Sequence, residues 1–370
     1  MNREQAEVKL QQWFKLSSFY DEQWRAIEKL LAGERVLMIE RTGFGKSLVY
    51  QFAAMERDGV TVIFSPLIAL MRDQVNKLQA LGIPAAFVNS TLDKDEKDAI
   101  LEKAKRGEYK MLYIAPERQE DETWQATVSQ LRLGMIVVDE AHCISSWGHD
   151  FRPSYRRIIN LVKQMDAGFP VLACTATATI KVQEDIRSQL DNSRLTLIRG
   201  NLSRPNFGLC VIHADSQEAK MCHLLKLMHR LEGTGVIYCG TQVESETYAK
   251  WLEFNKINAT YYNAGLDNET RKAVEEGLMN SSFKCVVSTN ALGMGIDKPD
   301  IRFIIHTQVP TSPLHYYQEI GRAGRDGLDT KIYLFYNEDD DELPLSFING
   351  GRPSSAQYEK VMSVLNPKNS

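Results

Sequence analysis

Short runs of β-branched and other apolar residues alternate along the chain with longer amphipathic stretches. An apolar run of four or five residues marks a strand buried on both faces, and a following stretch of 3.6-residue period marks a helix packed over it. The alternation therefore predicts parallel sheets with crossover helices. It occurs twice. In the first half strands are expected at 36–40 (VLMIE), 60–64 (VTVIF), 85–88, 111–114 (MLYI), 135–138 (MIVV), 171–174 (VLAC) and 195–199. In the second half they are expected at 209–213, 235–239 (GVIYC), 259–262, 285–288 (CVVS), 302–306 (RFIIH) and 331–335 (KIYLF). Between the two sets, Gly200-Asn201-Leu202-Ser203-Arg204-Pro205-Asn206 disfavours regular structure and reads as a linker. The expected organisation is an α/β chain with domains at 1–203 and 204–345 and a tail at 346–370. The tail carries a Gly/Pro turn and a helical pattern, Tyr358, Val361 and Leu365. Two readings of it stay open: a helix docked on the second domain, or the opening of a third.

The chain has 370 residues, 43% hydrophobic and 25% charged, which is ordinary composition for folded domains. Its six cysteines form no C-x-x-C pair, so neither a zinc site nor a disulfide framework is expected, and a reducing setting fits. No apolar stretch is long enough for a membrane span, and the polar N-terminus does not read as a signal peptide. The net charge of −4 at first disfavours a nucleic-acid partner. Its distribution weakens that inference. Residues 1–200 balance 27 basic against 27 acidic side chains, while 201–370 hold 17 against 21. The run Glu338-Asp339-Asp340-Asp341-Glu342 accounts for the whole excess and reads as a solvated loop.

Three motifs carry chemistry. After the strand at 36–40 come Arg41-Thr42-Gly43-Phe44-Gly45-Lys46-Ser47 and a helical pattern. Glycines let backbone N–H groups turn toward a phosphate, and the following helix N-terminus adds donors and a positive dipole. Lys46 suits the β/γ-phosphates and Ser47 suits Mg²⁺, although Glu40 stands where the full phosphate-loop expression has glycine. The second motif is Asp139-Glu140-Ala141-His142, at the carboxyl end of a strand and expected beside the loop after the first strand. Asp139 suits Mg²⁺, and Glu140 suits polarising an attacking water. The third is Tyr316-Tyr317-Gln318-Glu319-Ile320-Gly321-Arg322-Ala323-Gly324-Arg325, in which Arg322 and Arg325 are expected on one face of a helix, suited to a γ-phosphate.

With these motifs in order, the chain resembles the RecQ family of superfamily 2 DNA helicases through most of 14–336. The resemblance also rests on Gln23, Ser65-Pro-Leu-Ile-Ala-Leu-Met-Arg72, Tyr113 to Arg118, Ala173 to Ala178, Gly235 to Cys239, Tyr262 to Leu266 and Ser288 to Asp300. The loop Cys143 to Tyr155 is similar to the family's aromatic-rich loop. There Trp147, Phe151 and Tyr155, interleaved with Arg152, Arg156 and Arg157, read as flat faces and cations for unpaired bases and phosphates.

The resemblance implies two tandem RecA-like domains with mainly parallel sheets, ATP and Mg²⁺ as cofactors, and ATP-driven 3′ to 5′ movement on single-stranded DNA with unwinding of tailed or forked duplexes. A role in DNA repair or recombination is implied, as are a monomer and a cytoplasmic location, nuclear in a eukaryote. It implies catalytic roles for Lys46, Asp139, Glu140, Gln318, Arg322 and Arg325, with Ser47 and Asp139 on the metal. Tyr20, Gln23, Thr42, Gly43, Gly45, Lys46, Ser47 and Asp297 are implied for the nucleotide. Ser65, Arg72, His142, Trp147, Phe151, Arg152, Thr175 and Thr289, together with Thr177, are implied for DNA or for coupling the two sites.

There are departures. Tyr20 stands where the family usually carries Arg, so adenine is expected to stack on it, and Leu16 replaces an aromatic. Phe44 replaces a glycine and needs an acceptable φ or an outward path. The four-cysteine zinc module, winged helix and HRDC region do not follow, and 350–370 reads as the first turns of a winged helix. Three rival readings remain. An RNA-dependent ATPase is disfavoured by the aromatic-rich loop, and a non-hydrolysing DNA-binding scaffold by Glu140, Arg322 and Arg325. The third is a motor that translocates but barely unwinds. With little net positive charge, DNA binding is expected to be modest and salt-sensitive.

Overall fold

The computed structural model describes residues 1–148, 150–190, 195–293, 298–341, 345–346 and 354–365. The chain divides into two units, Met1–Arg204 and Pro205–Ser370.

In the first unit β1 (Arg35–Ile39), β2 (Val60–Phe64), β3 (Ala85–Val88), β4 (Met111–Ile114), β5 (Leu133–Asp139), β6 (Val171–Thr175) and β7 (Leu195–Arg199) form one sheet in the order β3-β4-β2-β5-β6-β1-β7. All its pairings are parallel. Alternate residues go to opposite faces: Val36 and Met38 of β1 join one apolar cluster, Leu37 and Ile39 the other. Helices α1 (Arg3–Phe14), α2 (Asp21–Leu31), α3 (Lys46–Glu56) and α4 (Ile68–Ala80) pack on the first cluster. Helices α5 (Lys94–Lys105), α6 (Glu122–Val128), α7 (Ser154–Lys163) and α8 (Ile180–Gln189) pack on the second. This double cover is why the strands read as unbroken apolar runs.

The second unit repeats the plan. Strands β8 (Phe207–His213), β9 (Thr234–Tyr238), β10 (Ala259–Tyr262), β11 (Cys285–Ser288), β12 (Ile301–His306) and β13 (Thr330–Tyr336) form a parallel sheet in the order β10-β11-β9-β12-β13-β8. Helices α9 (Gln217–Met228) and α10 (Gln242–Phe254) pack on one face, α11 (Asn268–Met279) and α12 (Pro313–Ile320) on the other. The tail forms a helix, α13 (Ser355–Leu365), whose described side chains are exposed.

The acidic run is not a plain solvated loop. Glu338–Asp341 forms a 3-10 turn, and Asp340 is buried against the buried Lys220 ammonium of α9 at 2.5 and 2.6 Å. Lys220 also donates to the Thr307 carbonyl, so a core-facing cation has drawn one carboxylate of the run inward.

Candidate active site

The phosphate loop spans the gap between β1 and α3. Gly43 and Gly45 take φ of 75° and 84°, a region that side-chain-bearing residues enter only under strain. Gly45 is the N-cap of α3, and among the described residues no side chain caps that helix, which leaves its first-turn N–H groups facing outward. The Lys46 ammonium lies against its own loop, 2.9 Å from the Glu40 carbonyl and 3.1 Å from that of Arg41. Phe44 needs no positive φ. Its ring turns inward to the first apolar cluster and lies 5.3 Å from that of Tyr20, so the half-exposed Tyr20 is the flat surface beside the loop.

Gln23, expected for the nucleotide, lies against the phosphate loop. It is buried, its oxygen accepts from the Tyr20 N–H, and its nitrogen donates to the Phe44 and Gly45 carbonyls. With its donors and acceptor so engaged, it braces the loop.

Asp139 is the last residue of β5, near enough to the loop after β1 for Lys46 to act on its charge, although β5 and β1 are not adjacent strands. Strand β6 lies between them, and its Cys174 is in register with both Met38 and Asp139. The Asp139 carboxylate receives the Cys174 thiol at 3.3 Å and the Ser65 hydroxyl at 3.3 Å. Burial, and then the Glu140 carboxylate, push its pKa up to about 6 against the opposing pull of Lys46. Glu140 has a left-handed backbone, φ 48° and ψ 48°, an uncommon conformation for a non-glycine residue. Its N–H donates to Asp139 Oδ1, and the Tyr155 hydroxyl holds the Asp139 carbonyl at 2.9 Å. Tyr155 is thus fully buried beneath the carboxylates and offers no face to a base.

From Glu140 a buried polar chain leads to β6. His142 Nδ1 lies 3.3 Å from Glu140 Oε2 and 2.9 Å from the Thr175 hydroxyl, and that hydroxyl accepts from the Thr177 N–H. Ser65 and Thr175, expected for DNA or for coupling the two sites, are buried, and their hydroxyls meet the Asp139 carboxylate and His142. Arg72 is exposed on α4, and Thr42 is partly exposed. In the aromatic-rich loop Trp147 is 61% exposed with the Lys181 ammonium over one ring face. Phe151 carries the Arg156 guanidinium at 5.3 Å. Arg152 is paired with Asp150 and approaches Glu117, so its charge is partly neutralised within the protein.

In the second unit the arginine motif also differs from its sequence reading. Helix α12 ends at Ile320, and Arg322 and Arg325 lie in the turns beyond it, not on a helix face. The helix is capped at Gly321, and Gly324 then turns the chain: its φ is +53°, and a Cβ there would meet Thr330 Oγ1 at 2.3 Å and Asn206 Nδ2 at 2.5 Å. Tyr238 of β9 organises the cluster. Its phenol hydrogen-bonds Arg322, and burial pushes its pKa up to about 12 against the pull of Arg322 and Arg325. Its ring stacks on His306, which pairs with Glu319 at 2.8 Å. Gln318 is partly buried on α12, and Thr289 is buried with its hydroxyl accepting from the Ala291 N–H. Asp297 lies outside the described residues. Tyr155, Cys174, Tyr238 and His306 were not singled out for these contacts, and nothing in a strand's local sequence distinguishes them from ordinary core residues.

A family model described as DEAD/DEAH box helicase matches residues 20–186, and one described as Helicase conserved C-terminal domain matches 217–327. The protein named probable ATP-dependent DNA helicase RecS of Bacillus subtilis (strain 168) is 36% identical over 358 residues, covering 96% of this chain and 72% of its own length. The same organism's ATP-dependent DNA helicase RecQ is 37% identical over 326 residues, covering 88% of this chain and 54% of its own length. The chain thus spans about half the length of several curated relatives that it matches. Mycobacterium smegmatis helicase Lhr, solved bound to ssDNA and AMP-PNP, matches with a TM-score of 0.72 at 18% identity, over 92% of this chain and 50% of that one, a likeness of fold. Among the described residues, no helix is long and apolar enough to cross a membrane. With two RecA-like α/β units and relatives of this identity over nearly its whole length, the chain belongs to the RecQ family of ATP-dependent DNA helicases.

Proposed function

We propose that this chain is an ATP-driven DNA motor that moves 3′ to 5′ on single-stranded DNA, unwinds tailed or forked duplexes and works as a monomer in repair or recombination. The observation that carries the reading is the buried chain from Glu140 through His142 to Thr175, set beside an open phosphate loop in the same sheet. Such a chain lets a shift in the loops around the histidine alter the carboxylate that handles water.

The α3 N-terminus and the Gly43 and Gly45 backbone cradle the phosphates, and Lys46 exchanges its loop carbonyls for phosphate oxygens. Ser47 and Asp139 fit magnesium, because a buried carboxylate crowded by a second one is a donor set that a hard cation satisfies. Bound there, the ion supplies neutralising charge for the phosphates. Glu140 accepts the proton of the attacking water, with His142 orienting it. Arg322 and Arg325 answer the γ-phosphate charge, and Trp147 and Phe151 meet unpaired bases.

The test is ATP hydrolysis with DNA and RNA oligonucleotides beside strand displacement from a 3′-tailed duplex. Lys46→Ala is expected to abolish turnover, and Arg325→Ala to keep nucleotide binding while losing most hydrolysis. Undiminished hydrolysis in either variant, or stimulation by RNA alone, sinks the reading.

A further inference from the structure

We infer that Arg204 is a positioning residue for the phosphate loop and makes the segment 200–204 a sensor of nucleotide occupancy. The inference rests on the nucleotide-site reading above and assigns it a residue outside the helicase motifs.

Strand β7 pairs with β1 up to Ile39 opposite Arg199, and the chain then continues along the mouth of the loop. Gly200 donates its N–H to the Ile39 carbonyl at 3.1 Å. It lies so close over Glu40 that a Cβ would fall 1.7 Å from the carboxylate. Four residues later Arg204, only 8% exposed, donates from Nη1 to the Thr42 carbonyl at 3.2 Å. The segment therefore touches residues 39, 40 and 42, and the first residue after it, Pro205, opens the second unit.

The chemistry follows from the peptide plane. In a trans peptide the carbonyl and the next N–H point in opposite directions, so holding the Thr42 carbonyl fixes where the Gly43 N–H points. Gly43 has a positive φ and, as glycine, accepts other orientations at little cost. Arg204 removes that freedom. It keeps a phosphate donor aimed without touching phosphate, and a charged donor on a carbonyl is among the stronger hydrogen bonds available. By linkage, a contact that favours phosphate binding is itself favoured when phosphate binds.

The test uses the full chain with Mg-AMP-PNP, hydrogen exchange and steady-state ATPase. In the wild-type chain the analogue is expected to protect both 43–47 and 200–204. Arg204→Ala is expected to keep protection at 43–47 and lose it at 200–204, and to raise KM for ATP about tenfold, more than it lowers kcat. Arg204→Lys, which keeps a charge but not the fork, recovers part of both effects. Protection at 200–204 that persists in Arg204→Ala, or a KM equal in all three chains, overturns the inference while leaving the nucleotide site intact. No protection at 43–47 in the wild-type chain overturns the nucleotide reading itself.

Discussion

Glu40 stands where the phosphate-loop expression asks for glycine, and it is 1% exposed. Burial, followed by the charge of Glu22, pushes its carboxyl from an ordinary 4.5 up to about 7, with Lys46 and Arg41 pulling the other way. On raising the pH, the unfolded chain releases this proton near 4.5 and the folded chain only near 7. Stability is therefore lost across that interval, and the cost is complete above it. Glu40→Gln is expected to stabilise the first unit at pH 8 by about 1–3 kcal/mol, seen as a melting temperature higher by several degrees. Most of that gain should be gone at pH 5, and equal melting curves at pH 8 would refute the assignment. At this scale the sequence names chemistry but not partners. Lys46, Asp139 and Glu140 announce themselves by type and spacing. That Gln23 faces loop carbonyls, or that Tyr155 lies beneath the carboxylates, depends on side chains brought together from distant segments.

The strands were legible, each within two residues of its apolar run, because most are largely buried on both faces and few polar positions interrupt the pattern, although β8 is mostly exposed. The end of α12 was not. Arginines three apart continue a helical spacing on paper, but the helix ends at Ile320 with Gly321 as its cap, and the left-handed Gly324 turns the chain against Thr330 and Asn206. Order within the sheet was equally hidden, since β6 slips between the two strands that carry the loop and the carboxylates. That insertion gives β6 a task at the scale of the element: its Cys174 faces Asp139 while Thr175, one residue on, meets His142. Thr175→Val keeps the strand former and removes the hydroxyl. It is expected to reduce DNA stimulation of ATP hydrolysis about tenfold with the chain still folded, and Thr175→Ser should restore it. ATPase rates with and without a single-stranded oligonucleotide measure both, and undiminished stimulation in the valine variant would remove β6 from the coupling.

For the whole molecule, net charge was a poor guide, because the acidic excess is confined to one run and part of it is spoken for internally. The pair of Lys220 and Asp340 joins the first helix of the second unit to the turn after its last strand, 120 residues apart in sequence. A map of domain limits drawn from strands would stop at Tyr336, the end of β13. A chain cut there keeps every strand but strands an ammonium group in the interior, at a cost of about 3–5 kcal/mol. A chain ending at Asp341 is expected to melt as the full chain does, one ending at Tyr336 well below it, and Lys220→Met to recover much of the loss in the shorter chain. Equal melting of the two truncations would deny the pair this role. The autonomous folding boundary of the second unit is then set by charge neutrality in its interior, five residues beyond the point where its sheet is complete.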